Sequence, residues 1–292
     1  MPEILKTATR FLAFDTSTDR LSIAVTDGVR VWQHSGVGGA QASSTLIPAI
    51  LALLAEAGLQ LGELDAIVFG RGPGSFTGLR TACAVAQGLA FGARHGAGMP
   101  VLPIDTLMAV AEEARLQRQR SPQPPSTSSG QAKPLPEVEV EVEGEREESA
   151  EGTNTLRLTA LLDARMDEMY LQSYEFNSGL WIKTGGCELI RPENLADYLL
   201  RVPGPQRLAG NVFEVYAQRL PAAPAGIPYI YALPTATALL RLAPGLAAAG
   251  QCVDASLALP LYVRDKVAFT TNERAASKAL AAQQLVPTHP GT

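Results

Sequence analysis

The sequence predicts an α/β protein built from two related lobes. Three observations carry that prediction. A strand–aspartate–turn–strand pattern occurs near the start and again 148 residues later, at Asp15 and Asp163 and at Asp19 and Asp167. Short apolar runs alternate with helical patterns, and a low-complexity stretch separates the two copies.

The first lobe opens with the apolar run 11–14, the turn Asp15-Thr16-Ser17-Thr18-Asp19 and the run 21–25, whose alternation fits a strand. Asp27-Gly28 then turns the chain into 29–32, which makes three antiparallel strands. After a Gly-rich gap, Ser43 or Ser44 can cap a helix over 46–57 that Gly58 closes, with Pro48 near its first turn. Residues 65–69 form a buried strand leading into the loop GRGPGSFTGLR, 70–80, and a second helix covers about 77–93. A strand over 101–104 and a helix from Thr106 to about Gln117 finish the lobe. The second lobe starts with strands over 158–162 and 169–174, joined by Asp163-Ala164-Arg165-Met166-Asp167. A chance match of two hairpins is the alternative to duplication, because aspartate suits turns for its own reasons.

The 292 residues are 46% hydrophobic, enough for a sizeable core. Mean hydropathy is +0.07, and no apolar run approaches the ~20 residues of a membrane helix. No secretory signal is visible, so the expected location is the cytoplasm. The formal charge of −5 is concentrated in residues 119–155, which hold eight glutamates and three basic residues. The remainder is neutral and by itself a poor grip for RNA or DNA, whose binding needs clustered Lys and Arg. SPQPPSTSSG at 121–130 cannot bury enough surface to order itself, and the Glu/Val alternation at 137–143 crowds like charges on one face. The domain reading is a first lobe over 10–117, an acidic insert over 118–155, a second lobe over 156–271 and a frayed tail over 272–292.

Cys83, Cys187 and Cys252 lie too far apart for a C-x-x-C pair and read as small core residues. His34, His95 and His289 form no metal-binding pair at helical spacing. No G-x-S-x-G elbow is present. The Asp15-Thr16-Ser17-Thr18 turn can either hold a phosphate and, through water, Mg²⁺, or simply close a hairpin. The loop 70–78 lacks the Lys of a Walker A motif and has Ser75 where G-x-G-x-x-G needs its third glycine. Its Gly72 and Gly74 permit positive φ, and Ser75 or Thr77 can cap the next helix, which leaves a weak anion site.

The two first-lobe helices are the least ordinary feature. Between 43 and 57 the only charge is Glu56, and between 77 and 93 it is Arg80. Neither has the polar face of a surface helix. In the second, Thr81, Ala84, Gly88 and Gly92 make one row of small residues, while Gly78, Ala82, Ala86 and Ala93 make another. Such helices are either sandwiched within their own domain or kept for a partner.

Asp15-Thr16-Ser17-Thr18, GRGPGSFTGLR, DARMDEMY at 163–170 and LYVR at 261–264 together resemble the bacterial TsaB (YeaZ) family, over 11 to about 269 apart from the insert. The resemblance implies the actin-like, sugar-kinase-like ATPase (ASKHA) fold, with a mixed sheet flanked by helices in each lobe. It also implies a non-catalytic relative of TsaD, the subunit that transfers threonylcarbamoyl to the adenosine beside the anticodon. Like its family, this chain lacks the paired metal-binding histidines of TsaD. The implied partners are TsaD, as a heterodimer, and TsaE, with tRNA reached only through the complex, no membrane contact, and a homodimer as an option for the lone chain.

On this resemblance, Leu46, Ile47, Ile50, Leu51, Leu54, Thr81, Val85, Gly88 and Leu89 supply the seam to TsaD. Asp163, Arg165 and Arg264 line an interlobe groove. Asp15, Thr16, Ser17, Thr18, Gly72, Gly74 and Ser75 form a vestigial nucleotide or phosphate site. No catalytic residue, metal or cofactor is required of this chain, while ATP, ADP and Mg²⁺ fit at the complex interface. Family members often carry a His just before the first helix, where this chain has Ala42 or Ser43. The alternative function is an ATP-dependent small-molecule kinase of the same fold. The missing histidine pair speaks against a metalloprotease.

Overall fold

A computed structural model describes residues 9–93, 98–120, 155–202, 206–221 and 227–264. The Glu/Val alternation and the expected frayed tail fall outside these residues. The first sheet contains β1 (Phe11–Asp15), β2 (Arg20–Thr26), β3 (Val31–Val37), β4 (Ala66–Gly72) and β5 (Val101–Asp105) in the order β3-β2-β1-β4-β5. β1 pairs antiparallel with β2 and parallel with β4, while β2–β3 is antiparallel and β4–β5 parallel. The second sheet contains β6 (Leu156–Asp163), β7 (Met169–Asn177), β8 (Leu180–Ile190), β9 (Arg207–Gly210) and β10 (Tyr229–Tyr231) in the order β10-β9-β6-β7-β8. Its pairings repeat the first sheet strand for strand, with β6 in the role of β1. Asp15 ends β1 and Asp163 ends β6, so the hairpin match seen in the sequence belongs to a duplicated sheet.

Among the described residues the α-helices are α1 (Ala42–Ala57), α2 (Phe76–Gly92), α3 (Thr106–Arg120), α4 (Leu195–Arg201), α5 (Val212–Val215) and α6 (Ala236–Ala248). All five residues of β1 are buried, as suits a central strand covered on both faces. On one face, α1 and α2 enclose a core with Leu12, Phe14, Ile23, Ile67 and Phe69. On the other, α3 and α6 lie between the two sheets, and a single core runs from Ala13 and Val68 through Val110 and Leu239 to Ala160 and Tyr174. Helices α4 and α5 close the far face of the second sheet with Leu195, Tyr198 and Val212.

At the lobe junction the buried Glu112 accepts two hydrogen bonds from Arg115, both 2.8 Å, one from Arg241 and one from Trp181, both 3.0 Å. Burial pushes its pKa up, but the hydrogen bonds from Arg115, Trp181 and Arg241 outweigh that, and the net direction is down.

Several local expectations change. The first helix begins at Ala42, without a side-chain cap from its N-cap Gln41, and Ser44 and Thr45 donate back to the Gln41 carbonyl. Neither Ser43 nor Ser44 is the cap, and Pro48 sits in the second turn. Gly58 does close the helix, at φ +67°. The third strand runs on through His34 and Gly36 to Val37, because register with β2 carries it past the point where its apolar pattern stops. Helix α3 continues to Arg120, so the first residues assigned to the insert are helical.

Candidate functional site

A cleft of about 400 Å³ opens between the lobes, where the ends of β1 and β6 face each other. Ser17, Thr18, Gly74 and Ser75 line one side, and Asp163, Arg165 and Arg264 the other. The residues marked in the sequence as a phosphate site and as a groove therefore share one cavity, with Asp15, Thr16 and Gly72 buried beneath its first-lobe wall.

The two walls are already heavily self-bonded. Asp15 accepts from the Ser17 amide at 2.9 Å and the Ser17 hydroxyl at 2.6 Å through Oδ1. Its Oδ2 is buried without a hydrogen bond and packs against Gly70, where a Cβ would overlap it. Burial pushes the Asp15 pKa up to about 6, against the pull of the Ser17 bonds and the nearby Thr106 hydroxyl. The glycine loop lies directly on this turn. Ser75 N donates to the Ser17 carbonyl at 2.7 Å, the Thr16 hydroxyl donates to the Gly78 carbonyl at 2.7 Å, and Ser75 Oγ caps α2 by accepting from Gly78 N. Gly72 N is taken by the Thr106 hydroxyl. A side chain at Gly74 would meet Ser17, and one at Gly78 would meet the Thr16 carbonyl. These glycines allow two backbones to touch.

The second-lobe aspartate is engaged differently. Asp163 Oδ1 accepts from the Tyr216 hydroxyl at 2.7 Å and the Arg165 amide at 2.9 Å, and Oδ2 faces the Arg165 guanidinium at 3.3 Å. Arg165, Met166 and Asp167 all have positive φ, from 56° to 62°. Arg264 braces that turn, donating to Glu168 Oε2 at 2.6 Å and the Arg165 carbonyl at 3.1 Å.

The ATPase-type fold raises the question of Mg²⁺ and nucleotide. The residues do not fit that group as they stand. The free oxygen of Asp15 is buried against Gly70, Asp163 is paired with Arg165 and Tyr216, and the amides of Gly72, Ser75 and Gly78 are hydrogen-bonded within the lobe. Nor do the described thiols suit nucleophilic work. Burial raises the pKa of Cys83 and pushes Cys187 up to about 12, and the Cys83 thiol donates to the Ala258 carbonyl. His34 is exposed on the edge strand β3, while His95 and His289 lie outside the described residues.

The outer face of α1 and α2 is a different kind of site. Leu46, Ile50 and Leu54 point into the chain's own core, correcting their assignment to a docking seam. They recur at four-residue spacing and meet the sheet. The neighbouring pair Ile47 and Leu51 remains 41% and 53% exposed. On α2, Thr81, Val85 and Leu89 are half-buried, with Val85 and Leu89 packed against the same core. Gly78, Ala82 and Ala86 are buried, whereas Ala84, Gly88 and Gly92 are exposed. One row of small residues serves the fold and the other lies open. Phe91, 52% exposed, was absent from the sequence-based seam, although its position one turn beyond Gly88 was visible.

Comparisons with known proteins agree in direction. The family model TsaD, tRNA N6-adenosine threonylcarbamoyltransferase, matches residues 37–271. The Escherichia coli (strain K12) tRNA threonylcarbamoyladenosine biosynthesis protein TsaB is 26% identical over 264 residues, 89% of this chain and 96% of that protein. The Haemophilus influenzae protein of the same description is 43% identical over 103 residues, 35% of this chain and 42% of that protein. Among solved structures, YeaZ from Pseudomonas aeruginosa superposes with a TM-score of 0.65 at 32% identity, covering 87% of this chain and all of that one.

Proposed function

The chain belongs to the TsaB (YeaZ) family, within the wider TsaD family, and from that premise we propose that it is a non-catalytic subunit of the tRNA threonylcarbamoyladenosine machinery. It binds TsaD through the outer face of α1 and α2 and enables TsaE to join. The observation that carries this reading is the exposed face holding Ile47, Leu51, Ala84, Gly88 and Phe91, on helices whose only charges are Glu56 and Arg80. Covering a few hundred Å² of such surface gains several kcal/mol at about 25 cal/mol/Å², before the cost of association. The neutral body fits a subunit that meets tRNA only through its partners. ATP, ADP and Mg²⁺, where the complex uses them, belong at the junction with the partners, because the first-lobe turn has one Asp15 oxygen hydrogen-bonded, the other buried against Gly70, and the amides of Gly72, Ser75 and Gly78 engaged. That engagement also disfavours an ATP-dependent kinase.

Co-purification with TsaD of the same organism tests the proposal. Leu51→Glu places a charge that the free chain leaves in water and the complex buries without a partner. The variant is expected to fold normally and lose TsaD. Co-elution equal to wild type would remove the α1–α2 face from the interface.

A further inference from the structure

Residues 254–264 run along one flank of α2 as a strap. The Cys83 thiol and Gln87 Nε2 donate to the Ala258 carbonyl at 2.7 and 3.1 Å, and Leu261 N donates to the Arg71 carbonyl at 2.7 Å. The Tyr262 ring lies 5.2 Å from Phe76, and its hydroxyl accepts from Arg80 Nε at 3.1 Å. The backbone is thus fixed, while the side chains of Leu257 and Leu259 stay 63% and 65% exposed. No charge occurs between Ala255 and Val263. Rigidly held, solvated leucines on an uncharged segment mark a protein contact better than a free loop.

The strap also continues the docking face. The order of the sheet puts α1 over β2 and β3 and α2 over β4, while the strap reaches β5 through the pairing of Val253 with Val101. Helix α2, with open space beside Gly88, is therefore flanked on one side by α1, which carries the exposed Ile47 and Leu51, and on the other by the strap. Size points the same way. Nine residues of α1 and six of α2 are exposed, fewer than the roughly 20 a side of a standard interface, even if all of them met the partner. The strap adds Asp254, Ser256, Leu257, Leu259 and Tyr262.

We infer that Leu257 and Leu259 form the second wall of the docking face, so that one apolar surface of the TsaD-type subunit seats over α2 against both walls. This rests on the docking reading above. The test titrates the full chain into purified TsaD of the same organism, as wild type, Leu51→Glu, Leu257→Asp, Leu259→Asp and Leu200→Asp. Leu200 is 86% exposed on the second lobe and serves as the control. Each strap variant is expected to weaken binding about tenfold or more, the control to stay within about twofold, and all thermal midpoints to hold. Strap variants that bind like wild type while Leu51→Glu fails would overturn the inference and leave the α1–α2 reading standing. Wild-type binding by all four variants would overturn both. Loss of self-association in the strap variants, seen by sedimentation with TsaD affinity intact, would assign the strap to a second copy of this chain and overturn the inference.

Discussion

Asp15 and Asp163 hold matching places in the two sheets, yet their surroundings separate them. Asp163 has Tyr216 and Arg165, whereas Asp15 is buried with one oxygen unpaired. The folded pKa of Asp15, about 6, lies above the ordinary 3.8. Its ionisation therefore costs stability in full above about pH 6, and that cost fades as pH falls towards 4. Asp15→Asn is expected to exceed wild type by about 1–3 kcal/mol in urea unfolding at pH 7.5, and by less at pH 4.5. The glycines divide just as sharply. Gly78→Ala drives a Cβ into the Thr16 carbonyl and should lose about 2–4 kcal/mol, while Gly88→Ala meets open space and should gain up to about 1 kcal/mol by the same measurement. Both aspartates and the whole glycine loop were legible in the sequence. What the loop touches was not, because Gly74 against Ser17 and Gly78 against Thr16 are contacts between segments about 60 residues apart in the chain.

Helix α1 shows where pattern reading stops. Its Gly58 terminus and its lack of charge were plain, but its start at Ala42 was not, and an apolar residue occupies both the inner and the outer row, so nothing in the sequence marks which row is buried. The sheet decides it, by taking Leu46, Ile50 and Leu54. Ile50→Ala should therefore cost about 2–4 kcal/mol of folding free energy, while Leu51→Ala should stay within about 0.5 kcal/mol, as chemical denaturation of the lone chain would show. The strap was harder to see. LYVR was recognisable, but Leu257 and Leu259 follow no period, and only the anchoring of Ala258 on Cys83 and Gln87 shows that they are held outward.

Across the whole molecule, the lobe boundaries drawn from the sequence hide a shared interior. The duplication itself was legible because each copy keeps strand, aspartate, turn and strand in close sequence. The exchange of helices was not, since α3 belongs to the first lobe by order yet packs on β6, and α6 packs on β1 and β2. With one core spanning both sheets, calorimetry should show a single cooperative transition, and Glu112→Gln should lower it by about 3–5 kcal/mol near neutral pH by unbalancing Arg115 and Arg241. Because the folded pKa of Glu112 is depressed, the stability it supplies is present above its ordinary pKa and lost as pH falls through the folded value, so the gap to the variant should narrow in acid. The central claim is that this molecule acts by being bound. Reconstituted transfer of threonylcarbamoyl from its adenylate to tRNA by TsaD and TsaE, releasing AMP, with and without this chain, tests it most directly. The account predicts no modification by the chain alone, strong modification when wild type is added to its partners, and at least a tenfold loss with Leu51→Glu. Modification by the lone chain, or full activity with Leu51→Glu, would contradict it.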